Sequence, residues 1–193
     1  NVSNPYPTMT LYNTYSGVLF DSNTGSSMIT NNVLPNIPIY GTNKKSELWI
    51  VDKLNTTHST NYIMHHNYTM TSYVWSNGTR FRYFVNDNTH RTDWIVTNKG
   101  YGITITRMVF ERDNDDYLTY HNYLNGVLNY NNTSPLPLRS PTMSTTFQIG
   151  ISGNIPGPTT FDGILFEWLF FDKHLTDLEA KKLTNFFKNK YNK

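Results

Sequence analysis

Asn-Gly stands at positions 77–78 and again at 125–126, each time between two runs whose apolar residues recur at every second position. Both residues tolerate positive φ, which a type I′ turn demands at its two central positions, and that turn shares the twist of the strands it joins. The spacing predicts two β-hairpins, 68–75 with 79–85 and 117–124 with 127–130. Residues 103–111 alternate as another strand and lead into a charged tip, Arg112-Asp113-Asn114-Asp115-Asp116. Shorter strands are expected at 17–20, 26–30, 47–53, 93–97 and 147–151. The nearly continuous apolar run 163–171 reads as a strand covered on both faces. Three prolines within 134–141 exclude a central strand there. Turn signals at this spacing predict an all-β sandwich in place of βαβ units.

Beyond residue 172 the period changes. Thr176-Asp177-Leu178-Glu179 is a capping box: the Thr hydroxyl takes an orphan backbone N–H, and Glu179 reaches back to the cap. Leu175, Leu178, Leu183, Phe186 and Phe187 follow at helical spacing with lysines opposite, so one C-terminal helix with a single apolar face is expected. No internal repeat or low-complexity linker interrupts the chain, and 1–193 is expected to be a single domain.

A chain of 193 residues buries a core without covalent help, and this one has no Cys. That removes zinc fingers, thiol nucleophiles and iron–sulfur clusters together. Aromatic residues reach 15% and charged residues only 16%, the reverse of a disordered composition. With 25 Asn and 26 Thr, the polar surface is built from amides and hydroxyls. The net charge is +2, but six of the ten lysines fall within the last 21 residues. Basicity confined to one helix face points to solvated lysines and away from a nucleic-acid partner. No apolar run is long enough to span a membrane, so membrane insertion is not expected. No leader segment is visible and residue 1 is Asn, which leads us to expect a processed chain or an excised domain.

Three segments in order resemble the concanavalin A-like lectin/glucanase superfamily, in particular its laminin G-like members. Residues 101–127, with YGITITRMVF and then YLNGVL, are similar to the penultimate hairpin of that family. FQIG at 147–150 is similar to a short strand of the family, and FDGILFEWLFFDKHLTDLEAKKLTNFFKNKY at 161–191 resembles its ending. SELWIV at 46–51 stands where the family has a Trp-bearing strand, whereas the first 45 residues match none of its motifs. The resemblance implies a concanavalin A-like jelly roll of two curved antiparallel sheets, with the terminal helix packed at one edge. It leaves function open, because such folds host lectins, hydrolases, lyases, adhesion modules and virion domains.

Hydrolase members of that family carry a carboxylate triplet on one strand, E-x-D-x-E, and glycoside hydrolysis needs two carboxylates across the scissile bond. No such triplet occurs here, and FQIG lacks the His of lyase members. Asp162 and Glu167 lie five apart, so simple strand alternation puts them on opposite faces, and Glu167 is read as an anchor from the last strand to a loop. His65 and His66 are adjacent on a strand and point apart, so they do not chelate together. Asp113, Asp115 and Asp116 form the kind of oxygen cluster that Ca²⁺ takes, which makes calcium the one cofactor considered. The EF-hand pattern fails because its sixth position is Leu118, and a charged hairpin tip that discourages edge pairing explains the acids as well. For glycans, Tyr73, Trp75, Trp94 and Tyr101 flank turns and offer aromatic faces, whereas Trp49 and Trp168 sit in apolar runs that read as core. Six N-glycosylation sequons occur, about as many as the Asn, Ser and Thr content yields by chance.

The reading that follows is an all-β, two-sheet antiparallel jelly-roll sandwich with one C-terminal helix. It is expected to act as a non-catalytic glycan-binding or surface-attachment domain of a larger extracellular or virion-surface protein. Its partners are then glycans or neighbouring capsid or surface chains, with oligomerisation through the parent protein. The alternatives are a structural capsid or assembly module without a sugar ligand and, third, a polysaccharide hydrolase or lyase.

Overall fold

The computed structural model describes residues 7–21, 28–30, 45–55, 60–66, 70–75, 80–86, 91–97, 102–115, 117–133, 147–149 and 161–191. For the strands at 28–30, 60–66, 70–75, 80–86, 91–97 and 147–149, backbone and register are described. The strands in chain order are β1 (Thr8–Tyr12), β2 (Tyr15–Phe20), β3 (Met28–Thr30), β4 (Lys45–Leu54), β5 (Thr60–His66), β6 (Met70–Trp75) and β7 (Arg80–Asn86). They continue with β8 (Arg91–Thr97), β9 (Thr104–Arg112), β10 (Leu118–Leu124), β11 (Val127–Thr133), β12 (Phe147–Ile149) and β13 (Gly163–Phe171), before helix α1 (Asp177–Lys190). All pairings are antiparallel and build two sheets, β1-β2-β13-β4-β9-β10-β11 and β3-β12-β5-β6-β7-β8. The result is the two-sheet sandwich that the alternation predicts, in the jelly-roll form that the resemblance implies, with the C-terminal helix that the capping box announces.

The turns form where their residues allow it. Asn125 has φ 51° and Gly126 φ 84°, the two positive values of a type I′ turn between β10 and β11. The Asn125 side chain also accepts the Ile105 N–H (3.0 Å), and its own N–H donates to the Ile105 carbonyl (2.8 Å), so this turn is tied to β9 as well. The register of β6 with β7, Trp75 opposite Arg80, is the one a reversal at Asn77-Gly78 requires, although residues 76–79 lie outside the described set. A third hairpin, β1–β2, escapes the sequence reading; Asn13 supplies its positive φ of 56°.

In β4, every residue from Ser46 to Asp52 is buried, because the strand lies mid-sheet and both its faces are covered. One face points into the sandwich, where Leu48 pairs across to Met108 and the Phe110 and Tyr120 rings lie 5.3 Å apart. The other face carries Trp49 and Val51, which with Ile103 and Ile105 form a floor for Ala180, Phe187 and Tyr191. The helix therefore lies across the face of the seven-stranded sheet and not at its edge. Its buried face also differs from the expected one: Ala180, Thr184 and Phe187 are buried, while Leu178 and Phe186 are more than half exposed.

A bulge in β13 prepares that floor. Ile164 pairs with Lys53 and Glu167 with Val51, so two residues three apart share a face. Phe166 and Glu167 can then both address the helix: the Phe166 ring packs 5.2 Å from Tyr191, and Glu167 Oε1 accepts from the Tyr191 hydroxyl at 2.8 Å and pairs with Lys190. Glu167 anchors the last strand to the helix, not to a loop. At the head of the same strand, a Cβ on Gly163 would run into the Lys53 carbonyl and the Phe161 ring, so only glycine permits this approach.

Burial first, and then the bond to Glu167, push the Tyr191 hydroxyl well above its ordinary pKa of 10. The folded state therefore holds this proton more tightly than the unfolded chain does. Its contribution is complete below pH 10 and is lost as pH rises beyond that. Tyr191→Phe is expected to cost about 1 kcal/mol at neutral pH and to flatten the fall in stability above pH 10, as read by urea titrations at several pH values.

Candidate functional site

The turn at Asn125-Gly126 and the helix approach so closely that a Cβ on Gly126 would sit 2.8 Å from the Thr184 methyl. Beside this contact, between α1 and the β9–β10 side of the sheet, a cleft of about 350 Å³ opens, within the range of small-ligand sites. Arg107 and Tyr123 line its sheet side, and Asp177, Lys181, Thr184, Asn185 and Lys188 its helix side.

Glu47 fixes the cleft's central cation. Its side chain is fully buried, and both oxygens are saturated. Oε1 accepts from Arg107 Nη2 (2.6 Å) and from the Leu175 N–H (2.9 Å). Oε2 accepts from Arg107 Nε (3.0 Å) and from the Trp49 indole (3.0 Å). This fork holds Arg107 bidentately, the strongest geometry available to an ion pair. It also ties β4 to β9 and to the residue preceding the helix cap. The guanidinium is clamped further by rings, 4.8 Å from Tyr123 and 5.6 Å from Trp49. Its third nitrogen, Nη1, has no hydrogen-bond partner among the described residues.

The helix begins where the sequence says. Thr176 Oγ1 accepts the Glu179 N–H (3.3 Å), and Glu179 Oε2 accepts the Thr176 N–H (2.8 Å) and hydroxyl (2.7 Å). Those bonds hold the Glu179 carboxyl below its usual pKa. The lysines expected to be plain solvated residues divide into groups. Lys190 pairs with Glu167, whereas Lys181 and Lys188 border the cleft without an acidic partner among the described residues.

Those residues singled out from the sequence that are described lie on other strands or at a hairpin tip. Tyr73 and Trp75 are on β6 and Trp94 on β8; Tyr101 falls outside the described residues. Tyr73 pairs with Arg82 and Trp94 with Tyr83, so Trp94 is one position out of phase with the two β6 aromatics. Asp113 and Asp115 stand at the β9–β10 tip, and Asp116 lies outside the described residues. There Asp113 Oδ1 accepts the N–H groups of Asp115 and Tyr117, both at 2.9 Å, which shapes the tip. Among the described residues, no group of three or more His, Cys, Asp or Glu could hold a metal ion. Among them too, no helix is long and apolar enough to cross a membrane. The signal for the cleft was present in the sequence as a Tyr-x-Asn-Gly turn and a lysine-bearing helix, but their meeting is tertiary.

By fold, the chain is a two-sheet antiparallel β-sandwich. No family model and no curated protein matches the sequence. Among solved structures it is similar to the receptor-binding domain of botulinum neurotoxin mosaic serotype C/D, with a TM-score of 0.68 and 16% identity over 93% of this chain and 44% of that one. The binding domain of botulinum neurotoxin serotype D gives 0.66 and 17%, covering 92% and 45%. The serotype DC binding domain, solved in complex with rat synaptotagmin II, gives 0.61 and 12%, covering 93% and 45%. This chain spans less than half the length of each of these structures.

Proposed function

We propose that the chain is a non-catalytic recognition domain of concanavalin A-like, laminin G-like type. Residues 1–193 form one sandwich that binds glycans in the cleft beside α1 and serves surface attachment within a larger extracellular or virion-surface protein. The observation that carries this reading is the cleft's lining: one aromatic ring, Tyr123, among hydroxyl, amide and cationic donors at Thr184, Asn185, Lys181 and Arg107. Aromatic surface for sugar C–H groups beside donors for ring hydroxyls is what a sugar site requires. Among the described residues Asp177 is the one carboxylate lining the cleft, whereas glycoside hydrolysis uses a facing pair. Similarity in fold to toxin receptor-binding domains, and to a toxin binding domain in complex with rat synaptotagmin II, supports attachment as the role.

A structural, assembly-packing role is the second reading, and one observation favours it. Strand β1 forms a sheet edge, and its Met9 and Leu11 are 73% and 71% exposed, an apolar strip that a neighbouring chain could cover. A glycan array of the purified domain separates the two. Reproducible binding that falls about thirtyfold in Tyr123→Ala and also weakens in the exposed-site variant Asn185→Ala supports recognition at the cleft. Absence of binding to any glycan, together with self-association that rises with concentration, moves the assignment to assembly.

A further inference from the structure

Resting on the recognition reading above, we infer that the glycan held in the α1 cleft is an acidic one, with a carboxylate or sulfate seated against Arg107 Nη1 between Lys181 and Lys188. Three observations lead there. Glu47 occupies Nε and Nη2 of Arg107, and the side chain is only 12% exposed, so the guanidinium cannot swing away and its remaining donor edge is fixed in place. That edge has no protein acceptor among the described residues, although Arg107 lines the cleft. A fixed, partly desolvated cation with an unused donor edge favours an anionic acceptor over a neutral hydroxyl, because Coulomb attraction between two unlike charges away from bulk water adds to the hydrogen bond.

The second observation is charge. Lys181 and Lys188 add two cations on the helix wall, and neither is paired among the described residues. Among the described residues Asp177 is the single acidic group lining the cleft, so their net charge there remains positive even when Glu47 is counted against Arg107. The third is placement. Elsewhere on the helix the lysine is used internally, since Lys190 is spent on Glu167. Of the other three helix lysines, Lys181 and Lys188 line the cleft together with Arg107, and Lys182 does not. The ring of Tyr123, against which Arg107 is stacked at 4.8 Å, supplies a surface for the sugar body next to the anion seat.

The test is a titration of the purified domain with sialyllactose, with a sulfated chondroitin disaccharide, and with uncharged lactose, each at low and high salt. A single-stranded oligonucleotide serves as a polyanion control. At least one acidic probe is expected to bind tenfold or more tighter than lactose, with affinity that falls as salt rises. Lys181→Gln/Lys188→Gln, at an exposed and a half-buried position of the helix wall, is expected to remove most of that advantage and its salt dependence with little change in melting temperature. Equal binding of lactose and the acidic probes overturns the acidic-ligand inference and leaves glycan recognition standing. Failure of every sugar to bind removes the recognition reading itself. Tighter binding of the oligonucleotide, or acidic-probe binding indifferent to the double variant, also overturns the inference, by assigning the wrong partner or the wrong place.

Discussion

Glu47→Gln is expected to destabilise the fold by about 3–5 kcal/mol, the cost of breaking a buried ion pair by removing one partner's charge. The side chain is completely buried and accepts four hydrogen bonds, two of them from Arg107. An amide in its place turns one acceptor into a donor that faces the guanidinium together with either the Leu175 N–H or the Trp49 indole, and it leaves the Arg107 charge uncompensated. The Leu175 N–H, which Glu47 holds at 2.9 Å, sits one residue before the helix cap, so the loss extends to the docking of α1. Urea unfolding of the variant measures the cost. In Arg107→Met/Glu47→Gln the uncompensated cation is gone as well, and a smaller loss than in the single variant is expected. A cost below 1 kcal/mol for Glu47→Gln would mean that the pair does not clamp the helix.

Phe187→Ala is expected to cost about 3–5 kcal/mol and to loosen the helix selectively. The ring is buried against Trp49 and Tyr191, with centroids 6.3 and 6.5 Å away, and it sits at the centre of the contact between α1 and the sheet. No other large side chain of the helix is so fully buried; Leu183 is half-buried and Phe186 faces solvent. Hydrogen exchange is expected to quicken throughout Asp177–Lys190 while β4 and β9 keep their protection. Because the helix forms one wall of the cleft, glycan affinity is expected to fall with it. Uniform acceleration across sheet and helix would instead indicate that the helix is an integral part of one cooperative unit.

Local chemistry was legible in the sequence and tertiary chemistry was not. The capping box at Thr176 and Glu179 formed because both partners lie within one turn. The Asn125-Gly126 turn formed because its two residues meet the turn's φ requirements themselves. The run 163–171 became a strand with those same bounds, but the bulge between Leu165 and Glu167 could not be read from alternation. That bulge is what sends Glu167 to the helix. Strand β1 was missed although Thr8–Leu11 alternates, and its Met9 and Leu11 face solvent, so alternation there does not mark a buried face. The expected apolar helix face erred for a related reason: spacing alone does not tell Phe186 from Phe187, and the sheet selects the latter.

The cleft itself was out of reach for the same reason. Glu47 read only as a polar position within an apolar strand, and its partner Arg107 lies 60 residues away. Lysines on a terminal helix read as solvated until the fold brings Lys181 and Lys188 beside that arginine. The aromatic residues nearest a predicted turn drew attention to β6 and β8 instead, while Tyr123, within the strand preceding the second Asn-Gly, joins the cleft.

Backbone-amide NMR of the isotope-labelled domain, titrated with sialyllactose, locates the surface that the sugar touches. Saturable shifts are expected at Gly126, Ala180, Thr184 and Asn185, around the cleft wall and the turn against it. Shifts confined to Met70–Trp75 and Arg80–Asn86 would place recognition at the β6–β7 hairpin and contradict the assignment of the α1 cleft.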